Sequence, residues 1–142
     1  MSAYADTSFL ISWHTADVRF PAVSALRRNG EAVVWTPWQQ VEFNNAMRML
    51  VYRKLATPQD LAWVMGSVQA AVEAGDLVAA PLPAYSLWEE AERLSRTHTP
   101  SLGVRTLDLL HVSAACILRS RRFLTFDLRQ RALAKAAGLT VN

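Results

Sequence analysis

Residues 3–10 read AYADTSFL, an uncharged run broken by one carboxylate, Asp6, with the next charge at Asp17. Ala3, Tyr4 and Ala5 suit a short buried strand, and the Asp-Thr-Ser that follows suits a helix start. A strand passing straight into a helix is the repeating unit of a parallel sheet covered by helices.

The same unit recurs outward along the chain. AVVW (residues 32–35) reads as a buried strand. Thr36-Pro37 follows as a loop, and a helix runs from about 38 to 55 with Phe43, Met47, Leu50 and Val51 on one stripe. Residues 77–80 form a third strand before a helix over 86–96, and residues 98–104 read as a loop. FLTF (123–126) is a fourth strand, followed by a helix over 128–137 that Gly138 stops. Thr140-Val141 is a short last strand. Pro21 opens a further helix that runs to Asn29-Gly30. Thr57 caps another, with Pro58 at its first position, Leu61, Val64, Met65, Val68 and Val72 facing inward, and Gly75 as its stop. A last helix covers 106–118. Continuous apolar strands rather than alternating ones indicate a sheet buried on both faces. The class is α/β: a three-layer α/β/α sandwich with a central, mainly parallel sheet. Strand order stays open.

The 142 residues fit one domain, 1–142, and 51% hydrophobic content supports a real core. No apolar run reaches the roughly 18 residues of a membrane span, and the first residues lack a signal-peptide pattern. A cytoplasmic setting, away from membranes, is the expectation. Cys116, alone within AACIL, offers neither a disulfide framework nor a CxxC site and reads as a small core hydrophobe. The net charge is +3, but seven bases (Arg105, Arg119, Arg121, Arg122, Arg129, Arg131 and Lys135) fall between residues 99 and 142 with only two acids, Asp108 and Asp127. A basic face of that kind suits an anionic partner, or is simply solvated.

Four acids resist a local explanation: Asp6, Glu42, Asp108 and Asp127. Asp6 and Asp127 end strands. Glu42 and Asp108 lie near helix starts. The plain alternative is that all four are helix-start residues, where an acid complements the dipole by about 0.3–1 kcal/mol. Two features weigh against it. LDLLHVSAACIL is apolar on nearly every side, so Asp108 is buried, yet no Lys or Arg lies one turn later; Asp6 also has no base near it. Burying an unpaired carboxylate costs several kcal/mol, which a bound cation would offset. Ligands of open parallel sheets also bind beyond the carboxyl ends of the strands, where these acids gather. An all-oxygen set suits Mg²⁺ or Mn²⁺ rather than zinc, and such an ion can activate water for attack on a phosphodiester.

YADTSFL, QQVEFNNA, RTLDLLHVSAA and FLTFDLRQRALAKAAGL together resemble the PIN-domain family, and within it the VapC toxins of type II toxin–antitoxin modules. The match in order and separation covers essentially the whole chain. The resemblance implies a PIN-like fold and a metal-dependent endoribonuclease. It implies Asp6, Glu42, Asp108 and Asp127 as the acidic quartet, Asp6 and Asp108 being the surest ligands of Mg²⁺ or Mn²⁺. Thr7, Ser8 and Thr125 match positions that hydrogen-bond around the pocket. The implied reaction is hydrolysis of RNA by activated water, leaving a 5′-phosphate and a 3′-hydroxyl. The implied partners are a VapB-like antitoxin, an RNA substrate and a second copy in a homodimer.

Several residues carry weaker signals. His111 is a helical neighbour of Asp108, either orienting a carboxylate or simply packed. Asn45 shares the face of Glu42. Arg105 and Arg129 flank the acids and suit phosphate contacts. Trp13 and His14 suit either a groove or the core. His14, His98 and His111 lack zinc-ligand spacing. With four acids committed to metal, 15 bases face 8 acids, a balance of +7 that suits RNA. A phosphatase built on a nucleophilic Asp would want a second acid two residues after the first, where Ser8 stands. A phosphoacceptor domain would want a Lys after FLTFD, where Leu128 stands. A non-catalytic RNA- or protein-binding module is the main alternative, and it leaves Asp108 unexplained.

Overall fold

A computed structural model describes residues 2–28 and 30–142. Its elements are β1 (Ala3–Ala5), α1 (Thr7–Thr15), α2 (Phe20–Leu26), β2 (Val33–Trp35), α3 (Pro37–Tyr52), α4 (Pro58–Glu73), β3 (Leu77–Ala79), α5 (Ala84–Leu102), α6 (Thr106–Ile117), β4 (Arg122–Leu124), α7 (Leu128–Ala136) and β5 (Thr140–Val141). The sheet order is β3-β2-β1-β4-β5, and every pairing is parallel. Strand β1 is central, with Ala3 in register with Val33 on one side and Arg122 on the other.

Alternation along each strand feeds two cores. Ala3, Ala5, Val33, Trp35 and Leu124 point into one, against Phe9, Phe43, Met47, Val64 and Val68. Tyr4, Val34 and Phe123 point into the other, against Leu87, Leu94, Leu110, Val112 and Leu133. Helices α1–α4 cover the first face and α5–α7 the second, which makes the three layers of a PIN-like sandwich. Cys116 packs at the margin of the second core, where burial pushes its thiol up to about 11.

Local chemistry sets the helix starts. Thr36 caps α3 and Thr57 caps α4, each in a reciprocal box with the third helical residue, Gln39 or Asp60. Thr36-Pro37 is therefore the start of α3 rather than a loop before it. Gln39 is fully buried, and its amide also donates to Ala5 O at 2.8 Å, tying α3 to the end of β1.

The structure departs from the sequence reading elsewhere too. Helix α5 runs to Leu102 through Pro100, so residues 98–102 are helical. Hydroxyls of Thr97 and Ser101 donate to carbonyls within the last turns, and the left-handed Gly103 ends the helix. Helix α2 stops at Leu26, because Arg27 turns extended, stacks over Trp13 at 3.6 Å and pairs with Asp76 at 3.1 Å. The stop predicted at Asn29 lies outside the described residues. On α4, Val72 is exposed and Ala71 takes the inward position. The bases of the last third do not form one face. Arg122 is buried against Glu31 and Leu26 O at the amino edge of the sheet, whereas Arg105 and Arg129 lie at the carboxyl edge.

Candidate active site

From β1 the chain steps to β2 and β3 on one side, then returns to place β4 and β5 on the other. The switch point is thus the carboxyl end of β1 beside β4, where an open parallel sheet leaves a crevice. Asp6 follows β1, and Thr125 and Asp127 follow β4.

Asp6 is 1% exposed. One carboxylate oxygen caps α1, accepting from Phe9 N at 2.7 Å; the other accepts from the Thr125 hydroxyl at 2.6 Å. Burial pushes its carboxyl above the ordinary range, and these two hydrogen bonds pull it back only in part. The Thr125 hydroxyl in turn accepts from Asp127 N at 2.9 Å. Asn142 clamps the Thr125 backbone from both sides, at 2.8 and 2.9 Å.

At this edge lies a cavity of about 320 Å³, lined by Ser8, Glu42, Asp108 and Asp127, together with Arg105, His111 and Gln130. Three of the four acids thus line one cavity; Asp6 does not line it, but feels the charges of Asp127 and His111, which do. Asp127 caps α7, accepting from Arg129 N and Gln130 N. The capping explanation therefore applies to Asp6 and Asp127, but not to Glu42 or Asp108.

Asp108 is 2% exposed, as the apolar helix predicts, but it is not without a cation. Arg105, one turn before it rather than after, donates through Nε at 3.0 Å and Nη2 at 3.4 Å, and Gln130 Nε2 donates at 3.1 Å. The same Arg105 Nη2 stands 3.5 Å from Asp127 Oδ2. The expectation of an unpaired Asp108 is corrected accordingly: its cation lies one turn towards the amino end of the helix, not the carboxyl end.

Glu42 is held by His111 Nε2 at 2.9 Å, and His111 Nδ1 meets the Tyr4 hydroxyl at 3.0 Å. Burial, with Glu42 and Asp6 nearby, raises the Tyr4 phenol well above its ordinary value, so it keeps its proton. His111 bonds to Glu42 rather than to its helical neighbour Asp108.

The donor chemistry fits a hard cation: four carboxylates, three of them around one cavity, with buried Asp6 bonded to no basic side chain. The geometry is not that of a closed site. Among the described residues no three His, Cys, Asp or Glu side chains converge closely enough to hold a metal.

Ser8 lines the cavity, Thr125 bonds Asp6, and Thr7 is buried with its hydroxyl unpartnered. Arg129 lines an adjoining cavity of about 330 Å³ with Ser8, Arg19 and Asp127. Asn45 is exposed and lines neither cavity. His14 is buried and bonds Ser67 Oγ, while Trp13 stacks on it. Sequence reasoning missed Tyr4, Gln130 and Asn142. Gln130 had a findable signal, one turn after the capping Asp127.

No protein-family model matches the chain, and no curated protein sequence matches it. Solved structures do. A chain of the VapBC2 complex of Rickettsia felis, bound to a DNA fragment of its promoter, is 14% identical at a TM-score of 0.65, with 100% of this chain and 98% of that one covered. VapC20 of Mycobacterium tuberculosis, a toxin that cleaves the sarcin–ricin loop, is 17% identical at 0.63, covering 98% and 97%. A toxin–antitoxin complex from Klebsiella pneumoniae gives 13% at 0.60, covering 92% and 91%. The chain therefore has, over its whole length, the PIN-like fold of these toxin–antitoxin proteins.

Proposed function

We propose that the chain is a VapC-type toxin: an endoribonuclease dependent on Mg²⁺ or Mn²⁺ and restrained by a VapB-like antitoxin. One observation carries this reading. Glu42, Asp108 and Asp127 line a single cavity, with Asp6 close enough to feel the charges of Asp127 and His111, at the switch point of a sheet folded like those of known toxins. The bound ion would supply an activated water and neutralise charge on the phosphodiester. The residues that would hold it are Asp6, Glu42, Asp108 and Asp127. Thr125 and the α1 amino end orient Asp6, His111 orients Glu42, and Gln130 orients Asp108. Arg129, beside Asp127, is placed for a phosphate of the RNA. Water oxygen bonds to phosphorus and the 3′-oxygen leaves, giving a 5′-phosphate and a 3′-hydroxyl. A homodimer and a cytoplasmic setting belong to the same reading; among the described residues, no helix is long and apolar enough to cross a membrane.

A non-catalytic RNA- or protein-binding module is the second reading. It is favoured by the protein partner that every acid already has and by the absence of a converged ligand set among the described residues.

The deciding experiment incubates purified protein with labelled total tRNA and rRNA, with Mn²⁺, Mg²⁺ or excess EDTA. Cleavage by wild type with either ion, lost in EDTA and in Asp6→Asn and Asp108→Asn, is the expected result. Cleavage that persists in EDTA overturns the metal mechanism. RNA affinity unchanged in Asp6→Asn, with no cleavage by wild type, establishes the binding module instead.

A further inference from the structure

We propose that Arg105 is a built-in counter-cation for Asp108 and Asp127, one that an incoming divalent cation must displace. The inference rests on the metal-dependent reading above. Its guanidinium occupies both oxygens of Asp108, at 3.0 and 3.4 Å, and reaches Asp127 Oδ2 at 3.5 Å. It therefore lies between two of the acids that the cavity would offer to a cation. Deep carboxylates without a positive neighbour repel each other and bind protons instead. Arg105 meets that need while no ion is bound.

The arm is built to let go. Its side chain is 61% exposed, whereas that of Asp108 is 2% exposed. It springs from the residue before α6, in extended backbone, two residues after the Gly103 stop. Neither Gln130 on Asp108 nor the cap bonds on Asp127 depend on it. Once displaced, a planar fork of donors stands at the mouth of the cavity, where a phosphodiester can take the place of the carboxylates. Arg105 thus serves the acids before the ion binds and the RNA afterwards.

The test measures Mn²⁺ binding by electron paramagnetic resonance, without RNA, at fixed ionic strength. Exposed ion pairs correspond to factors of about 1.4–5 each, so Arg105→Gln binds Mn²⁺ about 3- to 10-fold more tightly than wild type. Arg129→Gln removes the same charge nearby without removing a guanidinium from Asp108, and changes affinity less than about twofold. Arg105→Lys, a single point charge, falls between wild type and Arg105→Gln and carries the test if the Gln variant does not fold. Equal or weaker binding by the Arg105 variants overturns the proposal while leaving the metal reading intact. So does equal tightening by Arg129→Gln, which would be a field effect. No Mn²⁺ binding by folded wild type and folded variants alike overturns the metal reading, and the proposal with it.

Discussion

Replacing Asp6 with Asn removes one buried charge and almost nothing else. The carboxylate is 1% exposed, and burial raises its pKa; the Thr125 and Phe9 hydrogen bonds and His111 oppose the rise, and Asp127 adds to it. A folded-state pKa above the unfolded value of about 3.9 means that the native state holds this proton more tightly. Its contribution to stability is therefore fully present below about 4 and falls as pH rises through the folded pKa. Asn caps a helix as well as Asp, so the Phe9 N–H keeps its acceptor. The Thr125 hydroxyl loses a charged acceptor, which costs about 1 kcal/mol. Relief of charge burial offsets at least that much. Without metal, Asp6→Asn should match wild type within about 1 kcal/mol at pH 7, or exceed it. Asp6→Ala also strips the cap, about 1 kcal/mol, and leaves buried groups unpaired, about 1–3 kcal/mol, for a loss of about 2–4 kcal/mol. Urea unfolding at pH 7 in EDTA measures both. Mn²⁺ at about 100 times its dissociation constant should then stabilise wild type by about 2.7 kcal/mol and leave Asp6→Asn unmoved. A loss above about 2 kcal/mol for Asp6→Asn in EDTA would refute the reasoning and make Asp6 a structural anion.

Three further outcomes can be checked on the same footing. Burial, and secondarily Arg27, hold the His14 imidazole down at about 4, so its contribution to stability is complete above the unfolded pKa of 6.5 and is lost as pH falls towards 4. Acidification should cost roughly 3 kcal/mol through this group, and urea melts of His14→Gln from pH 7 to 4 should be flatter by that amount; an unchanged slope refutes it. Tyr4→Phe leaves His111 Nδ1 buried and unpaired, costing about 1–3 kcal/mol and lowering the melting temperature by about 2–4 °C per kcal/mol. A change below about 0.5 kcal/mol would show that the ring finds another partner. Pro100→Ala restores a backbone donor inside α5 and should raise stability by about 1 kcal/mol or more; a lower melting temperature contradicts this.

The strands and most helix starts were legible because their causes are local. Thr36, Thr57 and Asp6 act within three residues of themselves, and Pro37 and Pro58 fix the first turn. The last turns of α5 were not legible, because they continue through Pro100 with hydroxyl bonds from Thr97 and Ser101 and packing against α6. Strand order was not legible, since the step from β3 back to β4 is set by which helix faces find a partner. In the site, the four acids stood out by charge against an apolar background. Their partners did not. Gln130 reaches Asp108 across 22 residues, Thr125 reaches Asp6 across 119, and Tyr4 reaches His111 across 107. The partners with a local signal were Arg105, one turn before Asp108, and Gln130, one turn after the capping Asp127.

The Tyr4–His111–Glu42 line joins three separately folded pieces: central strand β1, helix α6 and helix α3. Tyr4 also stacks on Phe123 of β4 at 5.6 Å. The restraint on Glu42 thus reports whether two faces of the sheet and their covering helices are seated together. A domain loosened between α3 and α6 would keep its helices and most of its buried surface, yet release this acid into the cavity. The posture of this acid is then a property of the finished assembly and of no one element.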